Sequence, residues 1–192
     1  MPELDVKRLF LAVEIPKKIG KSLEALENIL KETACDARWV KPANVHLTLK
    51  FLGDVRTEKI TPIIQALTSA FPSKQSFNAA LNELGGFPSL KSLQILWAGI
   101  NDSDKKITAL ASTAENALYE LGFKKETKEF RAHLTLARLR SNLNKLQLIE
   151  KVRKINKTMQ PEIFPIDNIT LFESHLTTQG PIYSHIHQIK FR

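Results

Sequence analysis

Two copies of one tetrapeptide carry the residues best suited to chemistry in this chain: His46-Leu47-Thr48-Leu49 and His133-Leu134-Thr135-Leu136. An imidazole titrates near pH 6.5, so of two rings at neutral pH one can take a proton while the other gives one. Attack on a phosphodiester needs that division of labour: a base deprotonates a water, and an acid protonates the departing sugar oxygen. The Thr48 and Thr135 hydroxyls, two residues on, can hydrogen-bond the non-bridging oxygens and hold the phosphate between the rings. This chemistry requires no metal and no cofactor. One His-x-Thr on a strand is more often an ordinary half-exposed pair; two at equivalent places in a duplicated chain point to a site.

Side chains on a strand alternate faces, which puts His46 and Thr48 on one side and Leu47, Leu49 and Phe51 on the other, toward the core. The second copy repeats this with His133 and Thr135 outward and Leu134 and Leu136 inward. The surrounding elements also repeat. Alternating or apolar runs predict strands over 8–15, 45–52 and 77–84, with helices over 17–31 and 57–70 between them. A second series follows: strand 93–100, helix 104–121, strand 130–139, helix 142–154 and strand 164–172. Gly53-Asp54 and the Gly85-Gly86 pair with Pro88 read as turns closing their strands, and a last strand over 182–191 follows the Gly180-Pro181 turn. His46 and His133 stand 87 positions apart, as do Phe77 and Phe164. This order predicts an α+β fold of two pseudo-symmetric lobes, each a mainly antiparallel sheet with helices on its outer face, around a central cleft. We treat 1–192 as a single two-lobed domain with approximate sequence halves 1–88 and 89–192.

The composition is that of a globular domain, 43% hydrophobic and 25% charged over 192 residues. Lysine and arginine number 28 against 20 acidic residues, a net charge of +8 that suits a polyanionic partner. Lys124, Lys125, Lys128 and Arg131 cluster just before the second motif, and Lys50 continues the polar face of its strand. The lone cysteine, Cys35, excludes an internal disulfide and a cysteine-based zinc cluster, and favours a reducing compartment. Residues 1–18 hold only a short apolar stretch broken by Glu14, which reads as a strand and not a signal peptide. No run approaches the roughly 18 apolar residues of a membrane helix. A cytoplasmic protein with no membrane partner is expected.

With these motifs the chain resembles the two-histidine phosphoesterases, and within them the RNA 2′,3′-cyclic phosphodiesterases, long called 2′-5′ RNA ligases. The resemblance spans nearly the whole chain. It rests on Arg8-Leu9-Phe10-Leu11-Ala12, on Trp39-Val40-Lys41-Pro42-Ala43-Asn44-Val45-His46-Leu47-Thr48-Leu49-Lys50-Phe51-Leu52-Gly53, on His133-Leu134-Thr135-Leu136-Ala137-Arg138, and on Phe172-Glu173-Ser174 with Gly180-Pro181-Ile182-Tyr183. It implies a basic cleft and metal-independent opening of a terminal 2′,3′-cyclic phosphate to a 2′-phosphate, with 2′-5′ ligation as the reverse of that step. The partner implied is RNA with cyclic phosphate ends, tRNA fragments within that class, acted on by a monomer. His46 is implied as the proton donor to the leaving 3′ oxygen and His133 as the base that activates water. One departure is Ala132, where the family usually has proline before the second histidine.

The resemblance also marks supporting residues. Arg8 and Phe10 share a strand face that it places on the cleft, where Arg8 would meet a phosphate and Phe10 would either stack a base or belong to the core. Arg138 matches the arginine that follows the second motif, but strict alternation points it away from His133 unless the strand ends or bulges there. Tyr183 matches a position near the cleft. His185 and His187 form a His-x-His pair without a clear third ligand, so a solvated strand face is expected for them and for His175. Two further readings keep the same residues: a cyclic phosphodiesterase acting on a small nucleotide such as an ADP-ribose cyclic phosphate, and a non-catalytic RNA-binding module.

Overall fold

The helices form where apolar residues recur at helical spacing, and each lays that stripe on one sheet. In a computed structural model that describes residues 5–178 and 180–192, α1 (Lys17–Lys31) buries Ile19, Leu23 and Leu30, and α2 (Ile60–Ala70) buries Ile63 and Leu67. α3 (Lys106–Tyr119) buries Ile107, Leu110 and Leu118, and α4 (Lys145–Thr158) buries Leu148, Ile149 and Val152. These stripes join Leu9, Leu11 and Val13 of β1 (Val6–Glu14) and Leu47 and Leu49 of β3 (His46–Arg56) in one hydrophobic core. The opposite face of β1 carries a separate small cluster of Phe10 and Ala12 with Phe172, packed by Tyr183. Residues 1–4 of the N-terminal segment read above lie outside the described residues.

The remaining strands are β2 (Ala37–Trp39), β4 (Phe77–Phe87), β5 (Ile95–Asn101), β6 (His133–Leu139), β7 (Glu162–Ile166), β8 (Asn168–Thr177) and β9 (Gly180–Lys190). The strand order is β7-β4-β5-β6-β3-β1-β8-β9, with β2 added beside β6, and every pairing is antiparallel. β3 and β6 join at one residue pair, Leu47 opposite Leu134, the two equivalent leucines of the repeated tetrapeptide. The sheet is therefore two four-stranded arms that meet at a pseudo-two-fold axis, as the α+β reading anticipates.

The arms do not coincide with the sequence halves. β4 of the first half lies beside β5, and β8 of the second half lies beside β1. The exchange is symmetric: Phe10 pairs with Phe172, and 87 positions later Trp97 pairs with Gly85. The boundary near residue 88 divides the repeats but not the arms. Three local expectations also change. Gly53-Asp54, read as the turn closing its strand, lies inside β3 and pairs with Leu9 and Arg8 of β1. The single strand read over 164–172 is two strands that pair at opposite ends of the sheet, β7 with β4 and β8 with β1. Gly85 and Gly86 lie inside β4, not in a turn, because a Cβ at Gly85 would sit 2.1 Å from the Trp97 ring that covers it.

Candidate active site

Each motif histidine is fixed in the same way. His46 Nδ1 lies 2.7 Å from the Asn44 carbonyl oxygen, and His133 Nδ1 lies 2.6 Å from the Arg131 carbonyl oxygen. A carbonyl can only accept, so in the neutral ring Nδ1 carries the proton and Nε2 is the atom with a free lone pair. Each ring also rests on an aromatic side chain of the neighbouring central strand. Phe10 lies 4.7 Å from His46 and Trp97 lies 6.2 Å from His133, centroid to centroid, again 87 positions apart. Tyr183 meets His46 edge-on at 5.2 Å, and Phe87 meets His133 edge-on at 4.9 Å.

This apolar setting sets the charge state of the rings. Burial lowers the His46 pKa to about 4, helped by the like charge of a protonated His133 and opposed by the Asn44 hydrogen bond. Burial also lowers His133, with the Arg138 guanidinium acting in the same direction and the Arg131 hydrogen bond against it. The His133 charge acts on His46, which puts the two rings within electrostatic reach. Before substrate binds, at neutral pH, both are uncharged.

A cavity of about 470 Å³ opens over the junction of the arms, and its wall includes His46, Thr48, Thr135, Arg138 and Tyr183. His133 lines an adjoining cavity of about 340 Å³ that shares Thr48 and Phe51 with the first. The structure thus brings together His46, His133, Thr48, Thr135, Arg138 and Tyr183. Arg138 reaches this wall because β6 bulges. Leu96 pairs with Ala137 but Trp97 pairs with Thr135, so Leu136 is an extra residue and the alternation reverses after it.

The same irregularity in β3 corrects three expectations. Leu11 pairs with Lys50 and Ala12 with Thr48, leaving Leu49 as the extra residue, 87 positions before Leu136. Beyond it Lys50 turns inward and Phe51 outward. Lys50 is only 3% exposed and donates to Glu115 Oε1 at 2.9 Å and to the Lys124 carbonyl at 2.8 Å, so it adds no potential to the cleft. Phe51, expected in the core, is 63% exposed and lines both cavities. Phe10, expected to stack a base, is 3% exposed and stacks on Phe172 at 5.2 Å, so its ring supports His46 and has no free face to offer a ligand.

Arg8 is exposed, stands across from Asp54 in the β1–β3 register, and lies outside the wall of either cavity. His185 meets Glu14 at 3.7 Å and His175 meets Glu173 at 3.3 Å, each more than half exposed. Among the described residues no group of three or more His, Cys, Asp or Glu side chains could hold a metal ion. Besides Phe51, the sequence reading missed Arg38 and Arg140. Arg38 lies on the three-residue strand β2, too short for a periodic signal, and lines the first cavity together with Lys41 and Arg140. No described helix is long and apolar enough to cross a membrane.

Comparison with known proteins gives the family and the fold. The RNA 2′,3′-cyclic phosphodiesterase of Methanocaldococcus jannaschii is 32% identical over 92% of this chain and 96% of its own length. The protein of the same name from Archaeoglobus fulgidus is 33% identical over 92% and 96%. Among solved structures, TT0787 of Thermus thermophilus superposes with a TM-score of 0.78 at 24% identity, covering 96% of this chain and 98% of that one. E. coli LigT complexed with 3′-AMP superposes at 0.76 with 21% identity, covering 97% and 99%. The sequence profile described as LigT like Phosphoesterase matches twice, over 13–97 and 99–183, one match for each repeat. The chain belongs to the LigT-like phosphoesterase family.

Proposed function

We propose that the protein hydrolyses RNA-terminal 2′,3′-cyclic phosphates to 2′-phosphate ends by acid–base catalysis between His46 and His133. The observation that carries this reading is the pair of imidazoles held alike by the Asn44 and Arg131 carbonyls, next to a cavity whose wall holds Thr48, Thr135 and Arg138. The curated relatives that match nearly the full chain bear the name of this activity.

The steps follow from the two ring environments. His133 takes a proton from water through Nε2 as the water oxygen bonds to phosphorus; the Arg138 charge beside it disfavours the protonated ring and so suits a base. The bond from phosphorus to the 3′ oxygen breaks, and that oxygen receives a proton from His46. The Thr48 and Thr135 hydroxyls and the Arg138 guanidinium hold the non-bridging oxygens as negative charge grows. Because His46 is neutral before substrate binds, it must take up its proton together with the anionic substrate, whose charge raises the depressed pKa. After each turnover the proton sits on His133, and exchange with solvent restores the pair.

Phe51 supplies the exposed aromatic face on which the terminal base stacks. With the 5′ hydroxyl of a second RNA end as the nucleophile in place of water, its proton going to His133 as the bond to the 3′ oxygen breaks and that oxygen takes a proton from His46, the same arrangement joins RNA ends through a 2′-5′ bond. Both walls of the cleft come from one chain, which supports a monomer as the working unit, and tRNA fragments with cyclic ends fall within the substrate class. The single unpaired thiol at Cys35 suits the cytoplasm.

The test is turnover of an oligonucleotide ending in a 2′,3′-cyclic phosphate by the wild-type protein and by His46→Ala and His133→Ala. Each variant loses roughly 10²–10⁴-fold in kcat while its melting temperature holds. Retained turnover in both variants overturns the proposal.

A further inference from the structure

Arg38 and Arg138 stand directly opposite each other on the adjacent antiparallel strands β2 and β6. Opposed side chains in such a pair have Cβ atoms only about 4.5–5.5 Å apart, and like charges there repel. Arg140 and Lys41 line the same cavity, whose wall includes no carboxylate among the described residues. Among the described residues none of the four cations has an ion-pair partner. A single cyclic phosphate carries one negative charge, and Arg138 beside the histidines matches it. The repulsion built into Arg38, Lys41 and Arg140 is left for a second anion.

This wall is also shaped, not merely charged. Gly180 has φ +123°, and a Cβ there would lie 2.9 Å from Arg38 Nη2, so the glycine makes the space in which the guanidinium lies. The Asn44 amide donates to the Pro181 carbonyl at 2.8 Å and ties that hairpin to the segment leading into His46. Val40 donates to the carbonyl of Leu136, the extra residue of the β6 bulge, at 2.8 Å, so β2 is anchored to the feature that aims Arg138. Trp39, the next residue on β2, pairs with the buried Ala137, packs against the core and has Lys31 Nζ 5.3 Å from its ring centroid, which anchors the strand that carries Arg38.

We infer that the β2 wall is a second phosphate subsite, in which Arg38, Arg140 and Lys41 hold the phosphodiester on the 5′ side of the terminal nucleotide. The substrate class is then single-stranded RNA of at least two nucleotides, in preference to a free cyclic mononucleotide. The inference rests on the proposed phosphodiesterase reading of the same cleft and adds where the chain of the substrate runs.

The test compares kcat/KM of the wild type, Arg38→Gln and Arg140→Gln on a nucleoside 2′,3′-cyclic monophosphate and on a tetranucleotide with the same end. The wild type prefers the tetranucleotide by about tenfold or more, and each variant cuts that ratio about tenfold, the loss of one charge-assisted contact. A parallel titration follows binding of a tetranucleotide bearing a 2′-phosphate against salt concentration. The slope of log K against log salt becomes shallower by about 0.7 in each variant, one phosphate contact fewer. Equal losses on both substrates, or no change in ratio and slope, overturn the subsite. A wild type that turns over neither substrate, yet shows the variant-dependent slope, overturns the catalytic reading and leaves the subsite standing.

Discussion

Phe51 and Arg138 occupy equivalent positions of the two repeats, 87 residues apart, and each is turned into the cleft by a one-residue bulge at the preceding equivalent leucine, Leu49 or Leu136. A pseudo-symmetric frame thus ends in an asymmetric pair, an aromatic face on one arm and a cation on the other. A phosphate between two similar histidines has no preferred direction by itself. In the proposed function Phe51 against Arg138 gives the site one, with the base on the Phe51 side and the charge on the Arg138 side.

The two residues should therefore fail differently. Phe51→Ala raises KM about 10- to 100-fold, the loss of one base stack, and changes kcat little. Arg138→Gln lowers kcat, because its charge opposes the negative charge that grows on phosphorus. Steady-state kinetics on a cyclic-phosphate-ended oligonucleotide separates the two patterns, and a kcat defect in Phe51→Ala would remove the ring from its assigned place.

The division of labour between the histidines can be read with an activated leaving group. On a nucleoside 2′-(4-nitrophenyl) phosphate the departing phenolate needs no proton. His46→Ala then retains turnover close to the wild type, while His133→Ala keeps its loss of roughly 10²–10⁴-fold. Rescue of His133→Ala instead would exchange the two roles.

The lowered histidine pKa values have a thermodynamic signature. Unfolded histidine takes up a proton as pH falls below about 6.5, while His46 in the fold resists until about 4. Protonation therefore favours the unfolded chain across that window: stability is full above pH 6.5 and is lost as pH falls toward 4, by up to roughly 3 kcal/mol from His46. His133 acts in the same sense. Chemical denaturation at pH 7.5 and pH 5 should show a smaller loss for His46→Gln than for the wild type, and equal losses would mean that His46 is not held neutral.

The pairing of the two motifs was legible from the chain because a repeated tetrapeptide on alternating strands fixes both its own orientation and its symmetry mate. The bulges were not legible. They arise from the registers that β3 and β6 take against β1 and β5, and nothing in Leu49 or Leu136 distinguishes an extra residue from a paired one. Alternation carried past Leu49 assigns Phe51 to the core and Lys50 to the cleft, and the structure reverses both. Arg38 escaped for a different reason: a strand of three residues has no period to detect, and its place beside Arg138 is set by tertiary pairing. Gly85 and Gly86 read as a turn because a strand rarely holds two glycines in succession, yet here they clear room for the rings and side chains of β5 and the loop before it.

The central claim, two imidazoles transferring protons across one phosphate, is tested most directly by locating the product phosphate and its oxygen. The protein is incubated in H₂¹⁸O with excess EDTA and an oligonucleotide ending in a 2′,3′-cyclic phosphate, and the product is analysed by mass spectrometry and ³¹P NMR. The account predicts a 2′-phosphate carrying one ¹⁸O, formed at the rate seen without the chelator. A 3′-phosphate product, or activity abolished by EDTA and restored by a divalent cation, would contradict it.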